Sequence, residues 1–131
     1  ILPDTNESPG AKAAHIGAFM KTIVNDCYSK DEALIFISGL DKIEERSIDV
    51  FRESFLSLSK EKKLNLLTQF DEEAKKATSL EKPHFFTMLK ELTVWGYFTS
   101  EIGATQALRY NPVPGRFEGC IPYTGESVWI S

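Results

Sequence analysis

The sequence predicts an all-α protein, four to five helices in a small bundle followed by an extended C-terminal tail rich in proline and glycine. Three observations predict it. Apolar residues recur at helical spacing through most of the chain, serine caps stand before three of those runs, and prolines and glycines crowd the stretch after residue 108. At 131 residues the chain suits one core, so 1–131 is expected to be a single helical domain. Its last part, 108–131, is a tail that packs on the domain or on a partner.

Ser8 followed by Pro9 reads as an N-cap with proline at the first helical position, and Ile16, Phe19, Met20, Ile23 and Val24 continue that helix along one face. Ser29 and Glu32 form a capping box for a second helix, whose apolar face is read as Leu34, Ile37, Leu40 and Ile43, with Gly39 a weak point inside it. From Ser47 to Leu58 the pattern fits a short helix or a buried linker. Ser59 opens a third helix with Leu64, Leu67, Phe70 and Ala74 inward and a charged, solvated end at Asp71–Lys76. Pro83 opens the most apolar helix, with Phe85, Phe86, Met88, Leu89, Leu92, Trp95 and Phe98 on more than one face. Beyond Gly103 another turn or two of helix fits as far as Tyr110, after which Pro112, Pro114, Gly115, Gly119 and Pro122 call for extended or looped chain.

Hydrophobic residues make up 42% and charged residues 26%, a globular balance too apolar for disorder. The net charge of -4 gives no general attraction to phosphate backbones or anionic lipid, so nucleic acid is not an expected partner. No apolar run approaches the roughly 20 residues of a membrane span. The chain opens at Ile1 without a charged and apolar leader, so a targeting segment is expected to have been removed upstream.

The motifs of common chemistries are missing: no GxSxG, HExxH, GxGxxG or P-loop stands in the sequence. Ser57 with Lys60 and Ser59 with Lys62 match S-x-x-K, a spacing that a lysine-rich helix start meets by chance. His15 and His84 have no second ligand at metal spacing and are read as structural or exposed. Cys27 and Cys120 form no CxxC pair, so neither a metal site nor a thioredoxin-like motif is supported. No catalytic, cofactor-binding or metal residue is therefore assigned. The aromatic group of Phe85, Phe86, Trp95, Tyr97 and Phe98 is either core or a partner-facing patch, the latter because a helix apolar on several sides exceeds what one neighbouring layer covers.

The run FFTMLKELTVWGYFTSEIGATQALRYNPVPGRFEGCIPY, Phe85 to Tyr123, resembles the signature of the gluconate 2-dehydrogenase subunit 3 family. KELT at 90–93, GYFTSEIGATQ at 96–106 and RYNPVPGRFEGC at 109–120 carry the likeness. The earlier helices resemble the family more loosely, in Pro9 and Gly10 and the Ser29 box. The resemblance implies a small helical accessory subunit, exported to the periplasm, whose partner is a large FAD-dependent dehydrogenase of the glucose-methanol-choline (GMC) type. FAD is expected in that partner and not in this chain, and a cytochrome c subunit is often the acceptor and membrane anchor of such complexes.

The residues themselves agree with a binding role. From Tyr110 to Tyr123 the chain reaches roughly 45 Å if fully extended, and Pro112 and Pro114 lower the entropy lost when such an arm lies along another protein. Arg109, Tyr110, Arg116, Phe117 and Tyr123 are types enriched at interface anchors, and with Trp95, Tyr97 and Phe98 they make the expected docking set. Cys120 joins it, since the oxidising periplasm the resemblance implies would oxidise an accessible thiol on such an arm, with a cysteine of the large subunit as its disulfide mate and a bridge to Cys27 as the alternative. Two other readings stand beside the subunit: a maturation or export chaperone that leaves after assembly, and a small enzyme with an unrecognised site.

Overall fold

A computed structural model describes residues 1–77, 82–113, 115, 120, 122–126 and 128–130, the last two of these by backbone alone. The architecture is all-α: α1 (Ile16–Asp26), α2 (Lys30–Phe51), a 3-10 turn (Phe55–Ser57), α3 (Lys60–Lys76), α4 (Phe85–Phe98) and a π-helical turn (Gly103–Ala107). Two-residue strands β1 (Arg109–Tyr110) and β2 (Trp129–Ile130) pair in parallel. Two compact units divide the chain, Thr22–Glu91 and the combination of Ile1–Lys21 with Leu92–Ser131.

In the Thr22–Glu91 unit the capping box read from Ser29 and Glu32 forms. The Glu32 amide donates to Ser29 Oγ and the Ser29 amide to Glu32 Oε2, and the bonds from Ser29 hold the Glu32 carboxyl below its ordinary value. With both ends of the box satisfied, α2 runs for 22 residues and takes in Ser47 to Phe51, the first part of the stretch whose sequence fitted helix or linker. It stops where Arg52 turns left-handed, at φ 58°. The turn beyond is held by two bonds from α2: Ser47 Oγ donates to the Glu53 carbonyl at 2.7 Å, and Glu44 accepts the Phe55 amide at 3.0 Å.

The inward stripe of α2 is Phe36, Gly39, Ile43 and Ser47, a spacing of three and four that keeps one face. Here the structure corrects the sequence reading. Leu34, Ile37 and Leu40 are exposed, and only Ile43 of the expected face is buried. The reason is Phe85, whose ring lies so close to α2 that a Cβ on Gly39 would stand 2.1 Å from it. No side chain fits at position 39, so the stripe through Gly39 is the one that faces Phe85.

Around that approach the core is Ile43, Leu58, Leu66, Phe70, Phe85 and Phe86. Phe70 meets Phe85 edge to face at 5.2 Å and stacks with Phe86 at 6.2 Å; the Arg46 guanidinium lies 4.8 Å over the Phe70 ring and pairs with Glu73. On α3, capped by Ser59, the buried residues are Leu66 and Phe70, whereas Leu64, expected inward, is exposed. Leu67 and Ala74 pack partly against the core as expected. Asp71 joins Lys75 to Lys90 of α4, and the hydrogen bond from Lys75, followed by that from Lys90, holds its carboxyl below the ordinary range.

Pro83 stands two residues before α4, and His84 does the capping. Its Nδ1 accepts the Phe86 amide at 3.3 Å, and its carbonyl accepts the amide of Thr87 at 2.9 Å. Accepting at Nδ1 requires a ring that is not doubly protonated. Burial pushes the His84 pKa down, the Lys42 charge adds to this, and Glu73 opposes it.

In the second unit, the helix expected from Ser8 and Pro9 does not start there; α1 begins at Ile16. The Thr5 hydroxyl accepts the amides of Glu7 and Ser8, Asp4 accepts the Gly10 amide at 2.7 Å, and the Ala11 amide donates to the Leu2 carbonyl. These local bonds compete with helix formation, and His15, at φ 52°, interrupts the turn that precedes α1.

Gly39→Ala is expected to lower stability despite alanine's roughly 1 kcal/mol advantage in helices. Overpacking against Phe85 Cβ and Cγ costs about 1–3 kcal/mol, so a net loss in urea unfolding is the expected result. For His84 the depressed folded-state pKa means that the unfolded chain takes up a proton first as pH falls. Stability is therefore full above the ordinary value of 6.5 and declines below it. The urea midpoint should drop between pH 7 and pH 5, and His84→Asn, which keeps a capping acceptor, should flatten that drop.

Candidate partner-docking surface

All of the docking residues expected from sequence lie in the unit formed by Ile1–Lys21 and Leu92–Ser131. Its scaffold is the C-terminal half of α4, where three consecutive residues take three different roles. Gly96 is buried, and a Cβ there would stand 2.5 Å from the ring of Phe19, so the absence of a side chain lets Phe19 lie on the helix backbone. From that seat Phe19 meets Trp95 edge to face, with ring centroids 5.2 Å apart and planes at 82°. Trp95 is thereby oriented while 52% exposed. An indole fixed on one side and open on the other has apolar surface still to bury.

Tyr97 has the opposite environment. It is 4% exposed, and its hydroxyl donates to the Pro9 carbonyl and lies 3.4 Å from Ser8 Oγ. Ser8 and Pro9, read as a helix start, instead receive the tyrosine. Tyr97 thus anchors the N-terminal segment and offers no free surface. Phe98 is half-buried beside it, ring centroids 5.1 Å apart.

Beyond α4 the chain passes into the π turn through a network of local bonds. Ser100 Oγ donates to the Tyr97 carbonyl at 2.6 Å and accepts the Gly103 amide at 3.1 Å, and the Leu108 amide closes the π turn on the Gly103 carbonyl at 3.1 Å. Arg109 then donates its amide to the Val128 carbonyl at 2.9 Å and pairs with Glu126. Arg109 pairs with Trp129 and Tyr110 with Ile130, so these two short stretches of the tail lie side by side.

Tyr110, Pro112, Cys120 and Tyr123 are exposed, and Arg109 is half-buried in its pair with Glu126. Pro114, Arg116 and Phe117 lie outside the described residues. Cys27 and Cys120 are both exposed and free, so they do not bridge each other. Spacing alone places Phe19 on the apolar face of the first helix and Ser8 and Pro9 at its start, and shows neither their contacts with α4 nor the bond from Ser100 to Tyr97. Gly96 between Trp95 and Tyr97 was the signal for a close approach, but its partner Phe19, 77 residues earlier, was not legible.

Other candidate chemistry has structural employment. Ser59 of the Ser59–Lys62 spacing caps α3 by accepting the Lys62 amide, and Lys62 Nζ pairs with Glu53 at 2.7 Å. His15 lines an open hollow of about 330 Å³ with Lys12 and Thr93. Among the described residues no group of three or more His, Cys, Asp or Glu is placed to hold a metal ion, and no helix is long and apolar enough to cross a membrane.

The family model described as gluconate 2-dehydrogenase subunit 3 matches residues 1–115. It therefore takes in every α-helix and the π turn, a wider span than the stretch that carries the sequence likeness most strongly. No curated protein and no solved structure matches the chain.

Tyr97→Phe is expected to cost about 1 kcal/mol, the worth of one hydrogen bond whose acceptor is left part-buried. Hydrogen exchange at the Gly10 and Ala11 amides should speed up in the same variant, because the N-terminal segment loses its anchor to α4.

Proposed function

The chain belongs to the gluconate 2-dehydrogenase subunit 3 family, and from that membership we propose that it is the non-catalytic accessory subunit of a periplasmic flavin-dependent sugar or sugar-acid dehydrogenase. It binds the large GMC-type subunit, which carries FAD and oxidises the substrate, and it supports that subunit's assembly or export. A cytochrome c subunit takes the electrons through the complex. This chain contributes surface and no redox group.

The observation that supports this reading best is Trp95. A half-exposed indole braced by Phe19 through a glycine contact is costly to leave in water and already ordered for docking. Val94 beside it is also exposed, which widens the apolar patch. Tyr110 and Tyr123 add exposed aromatic residues of the kind that interfaces favour.

Co-production with the large subunit is expected to give a stoichiometric complex on gel filtration, with the flavin absorbance following the large subunit and none in the isolated chain. Trp95→Ala should weaken that complex by about 2 kcal/mol or more, roughly thirty-fold in Kd, while changing the urea midpoint of the isolated chain little. Equal losses in both would make Trp95 a core residue. A complex that falls apart after assembly would favour the chaperone, and turnover by the isolated chain would favour the enzyme.

A further inference from the structure

The outward face of α2 is more aliphatic than a helix of a lone domain needs. Leu34 is 64%, Ile37 51% and Leu40 43% exposed, and they follow one another at three-residue spacing on the N-terminal half of the helix. Inward, the same helix buries Phe36 and Ile43 beside Gly39 and Ser47, and Ile35 and Phe51 pack partly against the core. Packing against Phe85 explains the small inward residues but gives no reason for three branched aliphatics in water. Surface positions of a capped helix are satisfied by polar helix formers.

The charges around this face have a sign. Of the carboxylates on α2, Glu32 is held by the Ser29 cap and Glu44 by the Phe55 amide. Of its cations, Arg46 is paired with Glu73. That leaves Asp31, Asp41, Glu45 and Asp49 against Lys30 and Lys42, all exposed. An apolar strip with an acidic rim repels its own copy, as it repels anionic lipid, and attracts a surface whose apolar floor is edged by lysine or arginine.

We propose that Leu34, Ile37 and Leu40, within the acidic rim set by Asp41 and Glu45, form a second docking surface that enters a basic-edged apolar groove of the dehydrogenase partner. This rests on the subunit reading and adds to it a contact made by the Thr22–Glu91 unit. The groove follows from size. A helix of 22 residues is about 33 Å long and roughly 11 Å wide, so a flat contact covers less than the roughly 800 Å² per partner of a standard interface. A groove also covers the flanks of the helix, in the mode by which proteins receive amphipathic helices.

The test uses the full chain and the large subunit as the probe. Leu34→Ser with Ile37→Ser changes exposed side chains only, and circular dichroism with urea unfolding checks that the fold is kept. The double variant should weaken the complex at least ten-fold. Asp41→Lys with Glu45→Lys should also weaken it, and should flatten the decline of affinity with added salt that the unaltered chain shows. If both double variants bind like the unaltered chain while Trp95→Ala does not, the α2 surface is refuted and the subunit reading stands. If the unaltered chain fails to bind the large subunit, both are refuted. Concentration-dependent self-association in sedimentation, abolished by Leu34→Ser with Ile37→Ser, would assign the face to a second copy and overturn the proposal.

Discussion

The Thr22–Glu91 unit depends on one approach, the ring of Phe85 against the backbone of α2 at Gly39. Once that ring occupies the space where a side chain would begin, α2 must turn a stripe with small residues toward it. The ring also fixes its aromatic neighbours: Phe70 stands edge-on to it, Phe86 stacks on Phe70, and Arg46 covers the remaining face. Leu66 and Phe70, the most buried large side chains of α3, are in turn the residues that this aromatic group requires.

The same device recurs in the other unit with a different outcome. Gly96 admits Phe19 to the backbone of α4, but here the ring braces a residue that stays half in water. Next along the helix, Tyr97 turns inward and ties the N-terminal segment through Pro9. The motif GYFTSEIGATQ therefore reads as a set of structural instructions: Gly96 for the close approach, Tyr97 for the anchor, and Ser100 with Gly103 for the passage from α4 into the π turn. The residues that carry the family likeness shape the scaffold behind a surface as much as they make the surface itself.

The class of fold, the capping box at Ser29, the cap at Ser59 and the apolar α4 were legible because each is written in local spacing. Three readings failed for reasons beyond local spacing. Periodicity reports that α2 has an apolar face but not which neighbour covers it, so Leu34, Ile37 and Leu40 were taken for core. Gly39, read as a weak point of the helix, is its closest packing contact, since a glycine's value depends on the residue opposite. Ser8 and Pro9 have the chemistry of a helix start, but bonds made by Asp4 and Thr5 outcompete it. The exposure of Trp95 was legible as an aromatic in excess of one stripe, whereas the burial of Tyr97 depended on a bond across 88 residues.

Strength of fixation separates the parts of that surface. In the tail, β1 and β2 are joined by two residue pairs and by an exposed ion pair between Arg109 and Glu126, and such an ion pair contributes about 0–1 kcal/mol. Trp95, by contrast, stands on a helix whose next residues are buried and hydrogen-bonded, with Phe19 against its ring. Docking loses least entropy where the free protein is already ordered. On the proposed function, the indole fixes the position of the partner, and the more weakly held pairing of β1 with β2 adjusts to a partner already in place.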